Sequence, residues 1–85
     1  MSTYQYTVEM TRYEYTVQFV GSYWTITTQV GLEFEDTVGN LSDEAREMAI
    51  DNADEALQGE LGIAPLNFSH SVLVTLNLDG EDVQL

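Results

Sequence analysis

The sequence predicts an α+β domain of order β-β-α-β: a long, bent antiparallel hairpin, a third strand, and one helix packed on one face of the sheet. Three observations predict it. Residues 4–36 alternate apolar and polar side chains and are rich in Tyr, Thr, Val, Phe, Ile and Trp. Residues 42–58 change to a helical period, and residues 68–78 return to alternation. All 85 residues are expected to form one domain, which at this size buries only about 60–65% of the surface its unfolded chain exposes.

The first strand, about 4–20, changes phase once: Tyr4, Tyr6, Val8 and Met10 are even, whereas Tyr13, Tyr15, Val17 and Phe19 are odd. Gly21-Ser22 suits a two-residue type II′ turn, with Gly first. That turn starts a second strand, about 23–36, and pairs Phe19 with Trp24, Val17 with Ile26, Tyr15 with Thr28 and Tyr13 with Val30, all on one face. Keeping Met10 and Val8 on that face, against Leu32 and Phe34, requires a β-bulge in which Thr11 and Arg12 together oppose Gly31. The near-repeat YQYTV and YEYTV offers a competing short hairpin around Thr11-Arg12, which lacks favoured turn residues.

Asn40 or Ser42 can cap the helix, Asp43 and Glu44 suit its first turn, and Gly59 or Gly62 stops it, with Pro65 beyond. Leu41, Ala45, Met48, Ala49, Ala53, Ala56 and Leu57 share one side. Alanine there allows close approach to a sheet whose inward face carries Tyr, Phe and Trp. In the last strand Phe68, His70, Val72, Val74, Leu76 and Leu78 face inward, and Asp79-Gly80-Glu81-Asp82 ends it as a turn or acidic tail. If the helix crosses back over the first strand, the third pairs antiparallel with that strand; an edge position beside the second is the alternative.

Charge dominates the composition. Fifteen carboxylates face two arginines and no lysine, for a formal net charge of −13. Such a chain repels nucleic acid and anionic membranes, so neither is an expected direct partner. With no cysteine, disulfides and cysteine-based zinc sites are excluded. Nothing in the sequence resembles a secretory signal or a membrane span, and a cytoplasmic location is expected.

The search for chemistry yields no expected catalytic, cofactor or metal site. His70 is the only imidazole, and its neighbours Ser69 and Ser71 point to the other face of a strand. Its place in an apolar row marks it as a hydrogen-bonded core or edge residue. The calcium-loop pattern, Gly-rich phosphate loops, G-x-S-x-G and H-E-x-x-H are absent. Paired carboxylates carry no signal in a chain with fifteen of them. The expectation is a non-enzymatic protein.

The helix carries the strongest functional signal. Asp43, Glu44, Glu47, Asp51, Asp54 and Glu55 fall within roughly 120° of its circumference, opposite the apolar stripe. Like charges stand at i,i+4 in Asp43/Glu47, Glu47/Asp51 and Asp51/Glu55, each costing about 0.2–0.5 kcal/mol. Only Arg46 relieves them, and Glu33, Glu35 and Asp36 can extend the patch. These six side chains are the expected partner-binding residues, and a basic protein surface, of the kind that holds DNA or RNA, is the expected partner. Acidity, small size and absent catalytic groups are features shared with small phage-encoded inhibitors that mimic nucleic acid, a similarity of composition. The alternative is an assembly subunit that oligomerises through its sheet, its acidity reflecting general or halophilic solubility. Tyr4, Tyr6, Tyr13, Tyr15, Phe19, Trp24 and Phe34 exceed what one alanine-lined helix covers, so a homodimer burying the end toward Tyr4 and Tyr6 belongs to that alternative.

Overall fold

Alternation of apolar residues does build the sheet. The computed structural model describes residues 9–35 and 39–85. It contains β1 (Thr11–Val20), β2 (Thr25–Phe34), α1 (Asp43–Leu61), β3 (Ser71–Leu78) and β4 (Glu81–Gln84), with 3-10 turns at Gly39–Leu41 and Pro65–Asn67. The four strands form one antiparallel sheet in the order β2-β1-β3-β4, and α1 packs against one face. β3 pairs antiparallel with β1, as a helix crossing back over the first strand requires. The α+β class is as the sequence predicts.

Three features of the sheet differ from expectation. The hairpin register is displaced by two residues: Phe19 faces Ile26, Val17 faces Thr28, Tyr15 faces Val30 and Tyr13 faces Leu32. The turn residues are Ser22-Tyr23, and the Gly21 N–H donates to the Trp24 carbonyl at 2.9 Å. Gly21 does not have a positive φ. It is needed because the Trp24 indole lies across it, in the space a Cβ would fill. A two-residue displacement leaves every side chain on its original face, so alternation alone does not distinguish the two registers.

The second difference follows from the first. Arg12 pairs with Glu33, Thr11 with Phe34 and Glu14 with Gly31 in an unbroken ladder, so there is no bulge at 11–12. Gly31 instead makes room for the Arg12 guanidinium, which bonds Glu14 at 2.8 Å. β1 begins at Thr11, with Glu9 and Met10 irregular and exposed before it. Tyr4, Tyr6, Val8 and the first copy of the near-repeat, together with Asp36, lie outside the described residues.

The third difference is at the C-terminal end. Asp79 (φ 50) and Gly80 (φ 89) form a tight turn of the kind that two consecutive positive φ angles define. Glu81–Gln84 then return as β4, with Leu78 opposite Glu81 and Leu76 opposite Val83. β3 starts at Ser71 rather than at 68, because Pro65–Asn67 forms a 3-10 turn closed by the Phe68 N–H on the Pro65 carbonyl. Phe68 and His70 are consequently exposed instead of facing inward.

The helix is capped by Ser42, whose hydroxyl accepts the Ala45 N–H at 3.1 Å. It ends one turn later than expected, at Leu61, with Gly62 in the left-handed conformation (φ 72) donating to the Gln58 carbonyl. Asn40 is not the cap; its carbonyl accepts the Tyr15 hydroxyl at 2.6 Å, in the core. Buried residues of α1 are Ala45, Ala49, Ile50, Ala53 and Leu57, which pack on Tyr15, Val17, Phe19, Leu32, Val74 and Leu76. Relative to the predicted stripe the helix is turned by roughly 60° about its axis: Ile50 enters the core while Leu41, Met48 and Ala56 stay exposed.

Candidate functional site

Burying Ala45, Ala49, Ala53 and Leu57 fixes which side of α1 faces water. Asp43, Glu44, Glu47, Asp51 and Glu55 are all exposed on it, and Asp54 is half-buried at its margin. The structure therefore places the six predicted residues on one continuous outer surface, with different jobs. Asp54 Oδ1 accepts the Leu66 N–H at 2.9 Å, and its Oδ2 accepts from Gln58 Nε2 at 2.8 Å. That carboxylate holds the connection between α1 and β3, whereas the other five project freely.

Arg46 does not neutralise this face. Its guanidinium is half-buried, and Nη2 donates to the Val72 carbonyl of β3 at 3.1 Å. Among the described residues the only ion pair is Arg12–Glu14, on the opposite face of the sheet. There Arg12 is held protonated more firmly than usual, first by its hydrogen bond to Glu14 and then by the nearby charges of Glu14 and Glu33. The acidic helix face is thus left without a counter-charge from the described residues. Also among them, no group of three or more His, Asp or Glu side chains is arranged to hold a metal ion. No helix there is long and apolar enough to cross a membrane.

Two further features were not legible in the sequence. Ser22 Oγ and His70 Nε2 lie 2.5 Å apart, brought together from 48 residues apart because the hairpin turn sits beside the entry to β3. The His70 backbone N–H donates to the Val20 carbonyl, which fixes that neighbourhood. Among the described residues no carboxylate bonds His70, and the pair is exposed. Burial, an orienting acid and oxyanion donors are what turn such a pair into a nucleophile. As it stands it ties the turn to β3.

Close by in the chain, Trp24, Ile26, Ile63, Pro65 and Phe68 line an apolar cavity of about 280 Å³. Trp24 and Ile26 come from the hairpin, and the other three from the segment that follows the helix. Phe68, expected to face the core, is instead exposed and lends its ring to this cavity. Among the described residues the one strongly shifted acid is structural: burial first, with Tyr13 nearby second, pushes the Tyr15 phenol up to about 12.

No family model matches this chain. No curated protein and no solved structure was found similar to it either. Function therefore has to be argued from these surfaces.

Proposed function

We propose that this chain is a small acidic protein-binding module whose outer helix face docks on a basic surface, of the kind that otherwise holds DNA or RNA. One observation carries the reading: the helix's own arginine is turned inward to Val72, leaving a single-sign face. Six carboxylates from Asp43 to Glu55 span roughly 18 Å of axis, about one charge per 3 Å. The phosphates of one DNA strand are spaced about 3.4 Å apart. Like charges at i,i+4 disfavour the helix that carries them, so a basic partner would relieve a repulsion that the fold retains. Docking is electrostatic and non-covalent; no side chain is assigned a catalytic, cofactor or metal role, and direct contact with nucleic acid or membrane is disfavoured by the charge of −13.

The test is capture from host lysate at low salt, followed by a salt gradient and mass spectrometry. The wild-type chain should retain basic nucleic-acid-processing proteins and release them at moderate salt. A variant with Glu44, Glu47 and Asp51 changed to lysine should retain none of them. Asp54 is spared because it anchors Leu66. If the triple reversal captures the same proteins as the wild type, the reading is wrong.

A further inference from the structure

The helix covers the sheet unevenly. One flank is tied toward β3: Arg46 bonds Val72, Asp54 bonds Leu66, and Ile50 is buried between them. At 100° per residue the opposite flank carries Met48, Asn52, Glu55 and Ala56, and it overlooks β2. Met48 and Ala56 belong to the apolar stripe of the helix, yet all four side chains are exposed. The apolar width of α1 is greater than the sheet covers, and the surplus lies above the edge formed by β2.

That edge is open. Gly21 and Trp24 bond each other across the turn, so by alternation Ile26, Thr28 and Val30 direct their backbone groups to β1. The N–H and C=O groups of Thr25, Thr27, Gln29 and Gly31 then point away from the sheet. β2 is ten residues long in unbroken register and has none of the usual edge protection by Pro, Lys or a bulge. The other edge, β4, is four residues long and carries Glu81 and Asp82. Trp24 and Ile26 also wall the apolar cavity at the turn end of β2.

We infer that the groove between β2 and α1 takes an extended, lysine- or arginine-rich segment of a partner protein as a fifth strand, with one apolar side chain in the cavity beside Trp24 and Phe68. Main-chain bonds to the open edge supply affinity, and the alternating side chains supply selection. Charge chooses the occupant. Glu55 lies on the overlooking helix flank, within a chain of net charge −13; Glu33, also on β2, points to the opposite face of the sheet, beside Arg12. A second copy would bring a further thirteen negative charges to the same edge, whereas a cationic strand is attracted to it. This groove shares only Glu55 with the outer helix face, and its occupancy does not depend on that face binding anything.

The experiment uses the full chain, ¹⁵N-labelled, and three basic octapeptides of the form KVKXKVKT with Phe, Leu or Val at X. Binding should slow amide exchange at Thr25, Thr27 and Gln29, while Ile26, Thr28 and Val30, already bonded to β1, change little. Trp24, the only tryptophan, should shift its emission in the same titration. Replacing X by Ser, or every Lys by Glu, should weaken binding at least tenfold. Thr27→Pro removes an outward N–H and should abolish binding; the exchange pattern of the wild type decides the matter if that variant does not fold. Four results would each overturn the inference. No peptide slows the outward amides; Trp24 responds while the amides do not; the amides slow with rising protein concentration alone, which assigns the edge to a second copy; or the peptides perturb only Glu44, Glu47 and Asp51. The last would leave the helix-face reading standing without the groove.

Discussion

The two flanks of the helix are built from similar residue types and end in different states. Toward β3, a guanidinium, a carboxylate and Ile50 close the interface with directed bonds and burial. Toward β2, an edge strand bonded to β1 on one side, Met48 and Ala56 are exposed. A flank becomes closed where polar groups bond across it and lock the geometry in which apolar ones pack; where they do not, it stays open to another chain. Stability should therefore concentrate on one flank and recognition on the other.

The largest break in that comparison is a pair of substitutions two residues apart. Ile50 is 8% exposed and Met48 is 40% exposed. Ile50→Ala should cost about 2–4 kcal/mol, through lost burial and a cavity. For a domain of this size that lowers Tm by roughly 10–25 °C. Met48→Ala should cost less than about 0.5 kcal/mol. Equal losses in thermal unfolding would mean that both flanks are closed.

Next in size is the anchor beneath the helix entry. Tyr15 is fully buried and its hydroxyl donates to Asn40. Tyr15→Phe should cost about 1–3 kcal/mol, because the buried carbonyl loses its donor. Burial raises this phenol from its ordinary value near 10 to about 12, so the folded state holds the proton more tightly than the unfolded chain does. Its contribution is complete below pH 10 and is lost as pH rises toward 12. Denaturant titrations across that window should fall less steeply for Tyr15→Phe than for the wild type.

A third test compares neighbours on the acidic face. Asp54→Ala should cost about 1 kcal/mol by freeing the Leu66 N–H, and Glu55→Ala should be close to neutral. Similar effects would mean that the connection to β3 is held by packing instead of by this bond.

The sequence makes the face of each strand legible, but not which partner residue stands opposite. Alternation puts Tyr15, Val17 and Phe19 inward correctly, because a buried face requires period two. It cannot choose between registers two residues apart: Gly21-Ser22 suits a turn as a pair, whereas in the fold Gly21 admits the Trp24 ring. A bulge at Thr11 and Arg12 is required only by the predicted register, and the observed ladder runs through both residues unbroken. Asp79-Gly80 is a strong hairpin signal, yet the sequence predicts a turn or an acidic tail there, because only Val83 marks β4 as apolar. On the helix, the acidic face was legible because charge follows a simple period. The destination of Arg46 was not, since it depends on Val72, 26 residues away. Ser22–His70 and the Trp24 cavity likewise arise only once distant turns meet.

The smallest expected effect tests why the helix tolerates its acidic face. Glu47 lies one turn from both Asp43 and Asp51, and all three are exposed. Glu47→Gln removes two repulsions and should stabilise the fold by about 0.5 kcal/mol in low salt. Adding salt should shrink that gain, because the screening length falls to about 3 Å at 1 M. If the face is a docking surface, the same change should weaken capture of basic partners while it strengthens the fold. Opposite signs for stability and binding at one residue would separate a recognition surface from acidity kept for solubility. In the solubility case the substitution should leave capture unchanged, and the wild-type chain should lose structure in low salt.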